Sequence, residues 1–136
     1  MYCKHLILLF FFIFINASNY CNISQQTKGK IYTPSTYAQF KEIIMRHDLV
    51  VVDFYADWCM PCKHMNKIID SFAQDHDLDS ILFVKINTRD HASLTDEYHV
   101  YMFPTLILFF NGTIINTIYG DQDKKTVKQI ILDTFF

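Results

Sequence analysis

The sequence contains little glycine and proline, with three residues of each in a chain of 136. Together they make up about 4% of the chain, against about 12% in ordinary proteins. Collagen-like chains, flexible linkers and disordered segments are rich in these residues, so the composition excludes all three classes. The length favours one compact domain.

The chain also lacks an excess of charge of either sign. It has 12 basic and 14 acidic residues, which gives a formal net charge of -2 at pH 7. Proteins that bind a nucleic-acid backbone or an anionic membrane surface usually present a strongly basic face. We therefore expect no nucleic-acid partner.

The N-terminal residues differ in kind from the rest of the chain. Lys4 precedes an unbroken apolar run, Leu6–Ile15, and small or polar residues follow it at positions 16–18. This order is typical of a secretory signal peptide, which we assign to residues 1–17. The protein is then expected to be exported, either to a periplasm or to the exterior of the cell.

The apolar run is short for a membrane span. As a helix it extends about 15 Å, which is roughly half the hydrocarbon core of a bilayer. An uncleaved membrane anchor through residues 6–15, a buried N-terminal helix and lipid attachment at Cys21 are the alternatives. Residues 18–30 are polar and without periodicity, so we interpret them as a tether that precedes a domain at 31–136.

Helical and strand patterns alternate along that domain. Apolar residues at helical spacing predict four helices: one from the start signal Thr33-Pro34-Ser35 to near His47, one from about Met60, one over 91–99, and one capped by Asp121. Runs of β-branched and aromatic residues predict strands at Leu49–Tyr55, Ile81–Ile86, Thr105–Phe110 and Thr113–Tyr119. Between the last two strands, Asn111-Gly112 is the pair that a type I′ hairpin turn prefers.

The predicted fold class is α/β. A strand–helix–strand order implies a parallel pair with a right-handed crossover, while the hairpin adds antiparallel strands. We therefore expect a central mixed β-sheet flanked by helices on both faces. Functional groups in such folds collect at the carboxyl ends of the parallel strands, which points to the residues that follow Tyr55.

Two cysteines lie there, in the sequence Cys59-Met60-Pro61-Cys62. At a helix start, the first sulfur is close to free backbone N–H groups and the positive end of the helix dipole, which stabilise a thiolate. The second sulfur, one turn further on, is close enough to form a disulfide. This pattern is typical of a dithiol that exchanges disulfides.

Other sites built on two such cysteines fit less well. A structural zinc site would lack its fourth ligand, and covalent haem attachment would need a histidine where Lys63 stands. An inert structural disulfide is the remaining alternative. We expect no metal and no organic cofactor.

Further motifs accompany the cysteines. Residues 51–63 read Val-Val-Asp-Phe-Tyr-Ala-Asp-Trp-Cys-Met-Pro-Cys-Lys, and Phe103-Pro104-Thr105-Leu106, Lys85, Asn111-Gly112 and Gly120 also match in order. The first of these segments resembles the active-site strand and loop of the thioredoxin family, and the second resembles its cis-proline segment. The resemblance covers residues 31–136. It implies a thioredoxin fold, thiol–disulfide oxidoreductase activity and protein disulfides as substrates.

The resemblance also implies roles for individual residues. Cys59 would be the nucleophile that attacks a substrate disulfide, and Cys62 would resolve the mixed disulfide. Asp53 lies in a strand of apolar residues, so desolvation is expected to raise the pKa of its carboxyl and to suit it to accept the Cys62 proton. Lys85, on the neighbouring strand, would be the charge partner of Asp53.

Substrate contacts are implied around the cysteines. The residues expected to contact substrate are Trp58, Met60, Pro61, Phe103 and Pro104. A cis bond before Pro104 would allow the preceding backbone to pair with an extended substrate, and Trp58 would pack against the cysteine motif and shield it.

The sequence departs from the family pattern near this groove. Met60 replaces the usual glycine between the cysteines, and His99 and Met102 stand where glycines are common. Phe103 is larger than the usual aliphatic residue before the proline, and Lys67 replaces a proline. These departures leave the redox direction and the identity of the substrates open.

We interpret the chain as an exported, monomeric protein-disulfide reductase. A membrane thiol reductant is the expected partner, because an oxidising compartment would otherwise leave Cys59 and Cys62 oxidised. Two alternatives remain. The domain could relay electrons for a transmembrane thiol-reductant conduit, or it could be a non-catalytic thioredoxin-fold binding or chaperone module.

Overall fold

The computed structural model describes residues 31–136. The predicted signal peptide, the tether and Cys21 lie outside the described residues. Five strands are formed: β1 (Ile31–Tyr32), β2 (Leu49–Tyr55), β3 (Leu82–Asn87), β4 (Thr105–Phe110) and β5 (Thr113–Tyr119). The helices are α1 (Tyr37–Arg46), α2 (Met60–Phe72), α3 (Ala92–Glu97) and α4 (Lys124–Phe135), with a short 3₁₀ helix at His76–Leu78.

The strands form one mixed sheet in the order β1-β3-β2-β4-β5. Strand β3 lies parallel to both β1 and β2, whereas β4 lies antiparallel to β2 and β5. The predicted mixed sheet is confirmed. Strand β1 was not predicted, because two residues are too few to show a period of two.

The sheet separates two layers of packing. In β2, Val50, Val52 and Phe54 point to the face covered by α1 and α3. Val51 and the residues that alternate with it point to the opposite face, covered by α2 and α4. Helices therefore lie on both faces, as expected. Asp53 points to the same face as Val51.

Two helix starts differ from the prediction. Helix α1 is capped by Thr36, whose Oγ1 accepts a hydrogen bond from the Gln39 N–H at 3.2 Å, so Pro34 lies before the helix and not in its first turn. Helix α4 is capped by Asp123 and not by Asp121. The Asp123 carboxylate accepts a hydrogen bond from the Thr126 N–H at 3.1 Å, three residues on, as an N-cap requires.

The hairpin between β4 and β5 has the predicted turn. Asn111 and Gly112 both have positive φ, 48° and 76°, which is the type I′ conformation. A Cβ on Gly112 would lie 2.6 Å from the Met45 sulfur and 3.3 Å from the Ile44 carbonyl oxygen. Glycine is needed at this position for its backbone conformation and for its small size.

Most strand and helix bounds agree with the sequence. The predicted bounds of β2, β4 and β5 and the start of α2 are confirmed. Helix α3 is shorter than the predicted 91–99 because His99 has φ 52°, a left-handed conformation that ends a helix. Within residues 31–136, none of the helices combines the length and the apolar character that a membrane span requires.

Candidate active site

The two cysteines of the dithiol lie where β2 ends and α2 begins. Cys59 is the N-cap of α2, and its sulfur accepts a hydrogen bond from the Cys62 N–H at 3.1 Å. The two residues form a disulfide with their Cα atoms 5.2 Å apart. Pro61 fits the first turn because that turn has no intrahelical acceptor for an N–H group. When the disulfide is reduced, the same N–H and the helix dipole stabilise a thiolate on Cys59.

Asp53 lies within β2, the strand that leads to the cysteines, on the face of the sheet that α2 covers. Its side chain is 1% exposed, and neither carboxyl oxygen has a hydrogen-bond partner in the described part of the chain. Burial raises the pKa of Asp53 from 3.8 to about 7; the charge of Lys85 lowers it and that of Asp70 raises it further. The burial predicted for Asp53 is confirmed, and the pKa shift has the predicted direction and cause. A carboxyl with a pKa in this range is suited to exchange a proton near neutral pH.

Lys85 is placed opposite Asp53 but bonds elsewhere. The two residues are register partners on the parallel strands β2 and β3. The Lys85 ammonium, however, donates a hydrogen bond to Oδ1 of Asp70, on α2, at 2.5 Å. Lys85 therefore acts on Asp53 only through its charge, and its direct ion pair is with Asp70.

Sequence reasoning missed Asp70. It lies eight residues after Cys62 on the same helix, so the two side chains share one face of α2. That spacing was a usable signal. What could not be read from the sequence is that this face of the helix lies above Lys85.

Aromatic side chains surround the disulfide. Phe103 and Tyr55 pack against a small buried cluster of Ala56, Cys59 and Cys62. Trp58 is 71% exposed and places its ring against that of Phe103, with centroids 5.9 Å apart. Trp58 thus packs beside the motif as expected, while most of its surface remains open to solvent.

The peptide bond between Phe103 and Pro104 is cis, as the resemblance implied. Two hydrogen bonds are formed by the residues around it: the Gly120 N–H donates to the Pro104 carbonyl at 2.9 Å, and the Thr105 hydroxyl donates to the Met102 carbonyl at 2.7 Å. Because Phe103 packs on the cysteine cluster, this bond lies beside the disulfide. We call the exposed apolar surface here the apolar rim; its residues are Trp58, Met60, Tyr101, Met102 and the half-buried Phe103.

Comparison with known proteins identifies this arrangement. The family model described as thioredoxin matches residues 31–133. The thioredoxin of Porphyra purpurea is 37% identical over 97 residues, which cover 71% of this chain and 90% of that protein. The structure of a mutant thioredoxin from Halobacterium salinarum superposes with a TM-score of 0.74 at 25% identity, over 83% of this chain and 97% of that one.

The chain belongs to the thioredoxin family. The thioredoxin from Plasmodium falciparum gives the same fold, with a TM-score of 0.70 at 26% identity over 75% of this chain and 97% of that one. The α/β thioredoxin fold is thereby confirmed, as is protein-disulfide oxidoreductase activity, since the chain has the paired cysteines of the family at disulfide distance.

Polar pairs also flank the site of this thioredoxin. On one side, Asn87 donates a hydrogen bond to Asp57 at 3.0 Å, and Arg89 lies 3.7 Å from the same carboxylate. On the other side, His64 and Asp121 are joined at 2.7 Å between α2 and the loop that follows β5. Between 31 and 136, no group of three or more His, Cys, Asp or Glu side chains is arranged to hold a metal ion.

Proposed function

We propose that this thioredoxin reduces protein disulfides in an exported compartment, as a monomer that a membrane thiol reductant keeps reduced. The proposed export is supported by residues 1–17, whose basic, apolar and small polar segments follow the order of a signal peptide. The proposed reductant follows from export, because a dithiol that reduces substrates in an oxidising compartment has to be reduced again after each turnover.

In the proposed reaction, the Cys59 thiolate attacks one sulfur of a substrate disulfide and releases the other as a thiolate. The resulting mixed disulfide is attacked by Cys62, which forms the Cys59–Cys62 bond and releases the second substrate thiolate. Two electrons pass to the substrate, and the Cys62 proton passes to Asp53. Burial of the Asp53 carboxyl, which raises its pKa to about 7, supports this role.

The direction of electron flow rests on the same carboxyl. Strong oxidants of this chemistry have a dithiol whose reduced form is stabilised. We infer that the buried Asp53 carboxylate, on the strand that leads to the cysteines, has the opposite effect, because its negative charge disfavours a nearby thiolate. The burial of Asp53 without a hydrogen-bond partner is thus the observation that carries the reductase proposal.

We propose that substrates bind in extended form along the apolar rim and the cis-proline segment, in contact with Trp58, Met60, Pro61, Phe103 and Pro104. The rim residues Trp58, Met60, Tyr101 and Met102 are exposed, and Phe103 packs on the cysteine cluster, so the rim offers apolar contacts next to the disulfide. A segment with large apolar side chains next to its cystine fits this surface best, since burial of such side chains supplies binding energy.

The reduction potential of the full chain tests the proposed direction of electron flow. We expect equilibration with a glutathione redox buffer to give a potential near that of a thioredoxin, about -270 mV, and well below the value of about -120 mV that is typical of strong oxidants. A potential near the upper value, together with a fully oxidised dithiol in the native compartment, would instead assign the protein to oxidation.

A trapping experiment tests the catalytic role. With Cys62→Ser, the mixed disulfide on Cys59 cannot be resolved, so substrate adducts should accumulate and disappear on treatment with a reductant. The double variant Cys59→Ser/Cys62→Ser is the matched control and should trap nothing. A chain that forms no adducts and does not reduce insulin would favour the binding or chaperone module.

A further inference from the structure

Lys85 lies between two carboxyl groups and bonds to only one of them. Its side chain is 16% exposed, and its ammonium bonds to Asp70, whose side chain is 56% exposed. Asp53, its register partner across β2 and β3, has no hydrogen-bond partner on either oxygen within the described residues. The cation is thus directed toward the solvent side of α2 and away from the buried acid.

Helix α2 connects this ion pair to the dithiol. Cys62, Asn66 and Asp70 follow one another every four residues, so they lie along one stripe of the helix. Cys62 is buried at one end of the stripe. Asn66 is in the middle, and its Oδ1 is buried with no hydrogen-bond partner among residues 31–136. Asp70 is at the other end, where the helix meets Lys85.

Few charged groups face Asp53. Lys85 reaches it from β3 and Asp70 from α2, and these are the two charges that act on it most strongly. On its own strand, Tyr55 has a pKa that burial raises above its ordinary value, so this phenol is neutral at neutral pH. The partner from β4 is Leu106, which is apolar. The state of Asp53 therefore depends on where Lys85 places its charge.

We propose that Asp70 is a positioning residue for disulfide exchange: it holds the Lys85 ammonium at the surface and leaves the buried Asp53 carboxyl without a direct cationic partner. A direct ion pair would favour the ionised form of Asp53 and make it a weaker base. By binding Lys85, Asp70 keeps Asp53 able to take the Cys62 proton near neutral pH. This inference rests on the proposed role of Asp53 as proton acceptor.

The test uses Asp70→Asn in the full chain, with the dithiol reduced. We expect the freed Lys85 to turn to Asp53, so that the Asp53 titration midpoint, followed by its carboxyl ¹³C chemical shift, falls by about one pH unit. Lys85→Met should move the midpoint up by a similar amount. In the Lys85→Met background, Asp70→Asn should lower the midpoint less, because only the direct charge effect of Asp70 on Asp53 then remains.

Asp133→Asn is the matched control. Asp133 is an exposed carboxylate on α4 that bonds to Gln129, so its loss changes the net charge equally and should leave the midpoint in place. An Asp53 midpoint that stays unchanged or rises in Asp70→Asn would overturn the proposal, as would equal effects of Asp70→Asn and Asp133→Asn.

A second measurement separates this inference from the proposed function. The pH profile of single-turnover reduction of a model disulfide should move with the Asp53 midpoint in Asp70→Asn. If the chemical-shift midpoint moves and the rate profile does not, Asp70 still positions Lys85, but Asp53 is not the proton acceptor. If neither moves, the positioning role itself is wrong.

Discussion

The two faces of the sheet are made by the same strands but differ in their chemistry. Under α1 and α3, the rings of Phe40, Tyr98 and Phe109 meet edge to face with centroids 5.6 to 6.3 Å apart. Under α2 and α4, the same sheet presents Asp53, buried and without a hydrogen-bond partner in the described chain, next to Lys85. Both faces are packed with buried apolar side chains, but only the face under α2 and α4 also holds a buried carboxyl, at some cost in stability.

The difference follows from the alternation of side chains along β2 and β3. Successive residues of a strand point to opposite faces, so an apolar residue and an ionisable one can be neighbours in sequence and lie on opposite sides of the sheet. An unpaired buried carboxylate is costly. Because Asp53 lies on the face that α2 covers, its unfavourable burial affects that face, and the packing of Phe40, Tyr98 and Phe109 on the other face is undisturbed.

The largest effect is expected on the α2 face, at the dithiol. Cys59→Ser should reduce insulin-disulfide reduction to the uncatalysed background, because the attacking sulfur is lost. Its unfolding free energy should be close to that of the reduced wild-type chain. Activity well above that background would show that Cys62 can attack substrates by itself, contrary to the proposed roles.

Truncation of a buried ring on the face covered by α1 and α3 should lower stability and leave the redox chemistry intact. Phe40→Ala removes a fully buried ring and should lower the unfolding free energy by about 3–5 kcal/mol in urea denaturation. The reduction potential of the folded fraction should be unchanged. Phe110→Ala, an exposed ring on β4, is the control and should change stability by about 0.5 kcal/mol or less. A shifted potential in Phe40→Ala would show that the two faces are coupled.

Neutralising the acid on the α2 face should make stability less dependent on pH. Burial raises the pKa of Asp53 from 3.8 to about 7, so its contribution to stability is present below pH 4 and is lost as the pH rises toward 7. That difference corresponds to about 4 kcal/mol. Asp53→Asn keeps a buried polar amide that does not titrate, so we expect it to be less stable than wild type by about 1–2 kcal/mol at pH 4 and more stable by about 2–3 kcal/mol at pH 8.

Urea denaturation at several pH values checks this expectation, with Asp133→Asn as the control for a change in net charge. Asp53→Asn should also slow the resolving step, because Cys62 loses its proton acceptor. A stability gain that is the same at pH 4 and pH 8 would contradict the proposed ionisation of Asp53.

The smallest expected effect is at the apolar rim. Trp58→Ala should raise KM for protein disulfides by about 5–10-fold, which is about 1 kcal/mol of binding. The unfolding free energy should change by about 0.5 kcal/mol or less, because Trp58 is mostly exposed. Tyr32→Ala, an exposed ring on the edge strand β1, should leave KM unchanged. Equal KM values for the two variants would remove Trp58 from the proposed substrate surface.

Local patterns predicted the elements that carry the site. The apolar run of β2, the Cys59–Cys62 spacing at a helix start and the Asn111-Gly112 turn each involve residues close together in the chain, so their conformations depend on neighbours that the sequence shows. The cap of α4 was placed at Asp121 because it follows Gly120. Asp123 takes this position, and the carboxylate of Asp121 is joined to His64 on α2, a contact between residues far apart in the sequence.

The sequence by itself determined the fold class, the dithiol and the buried acid, because alternation and spacing are visible in one dimension. Only the tertiary structure decided which charged side chains form ion pairs with one another. Lys85 was expected to pair with Asp53, its neighbour in the sheet, but α2 crosses the strands and brings the more exposed Asp70 within 2.5 Å of the Lys85 ammonium. The crossing of a helix over a sheet sets such distances, and it depends on the packing of side chains from the whole core.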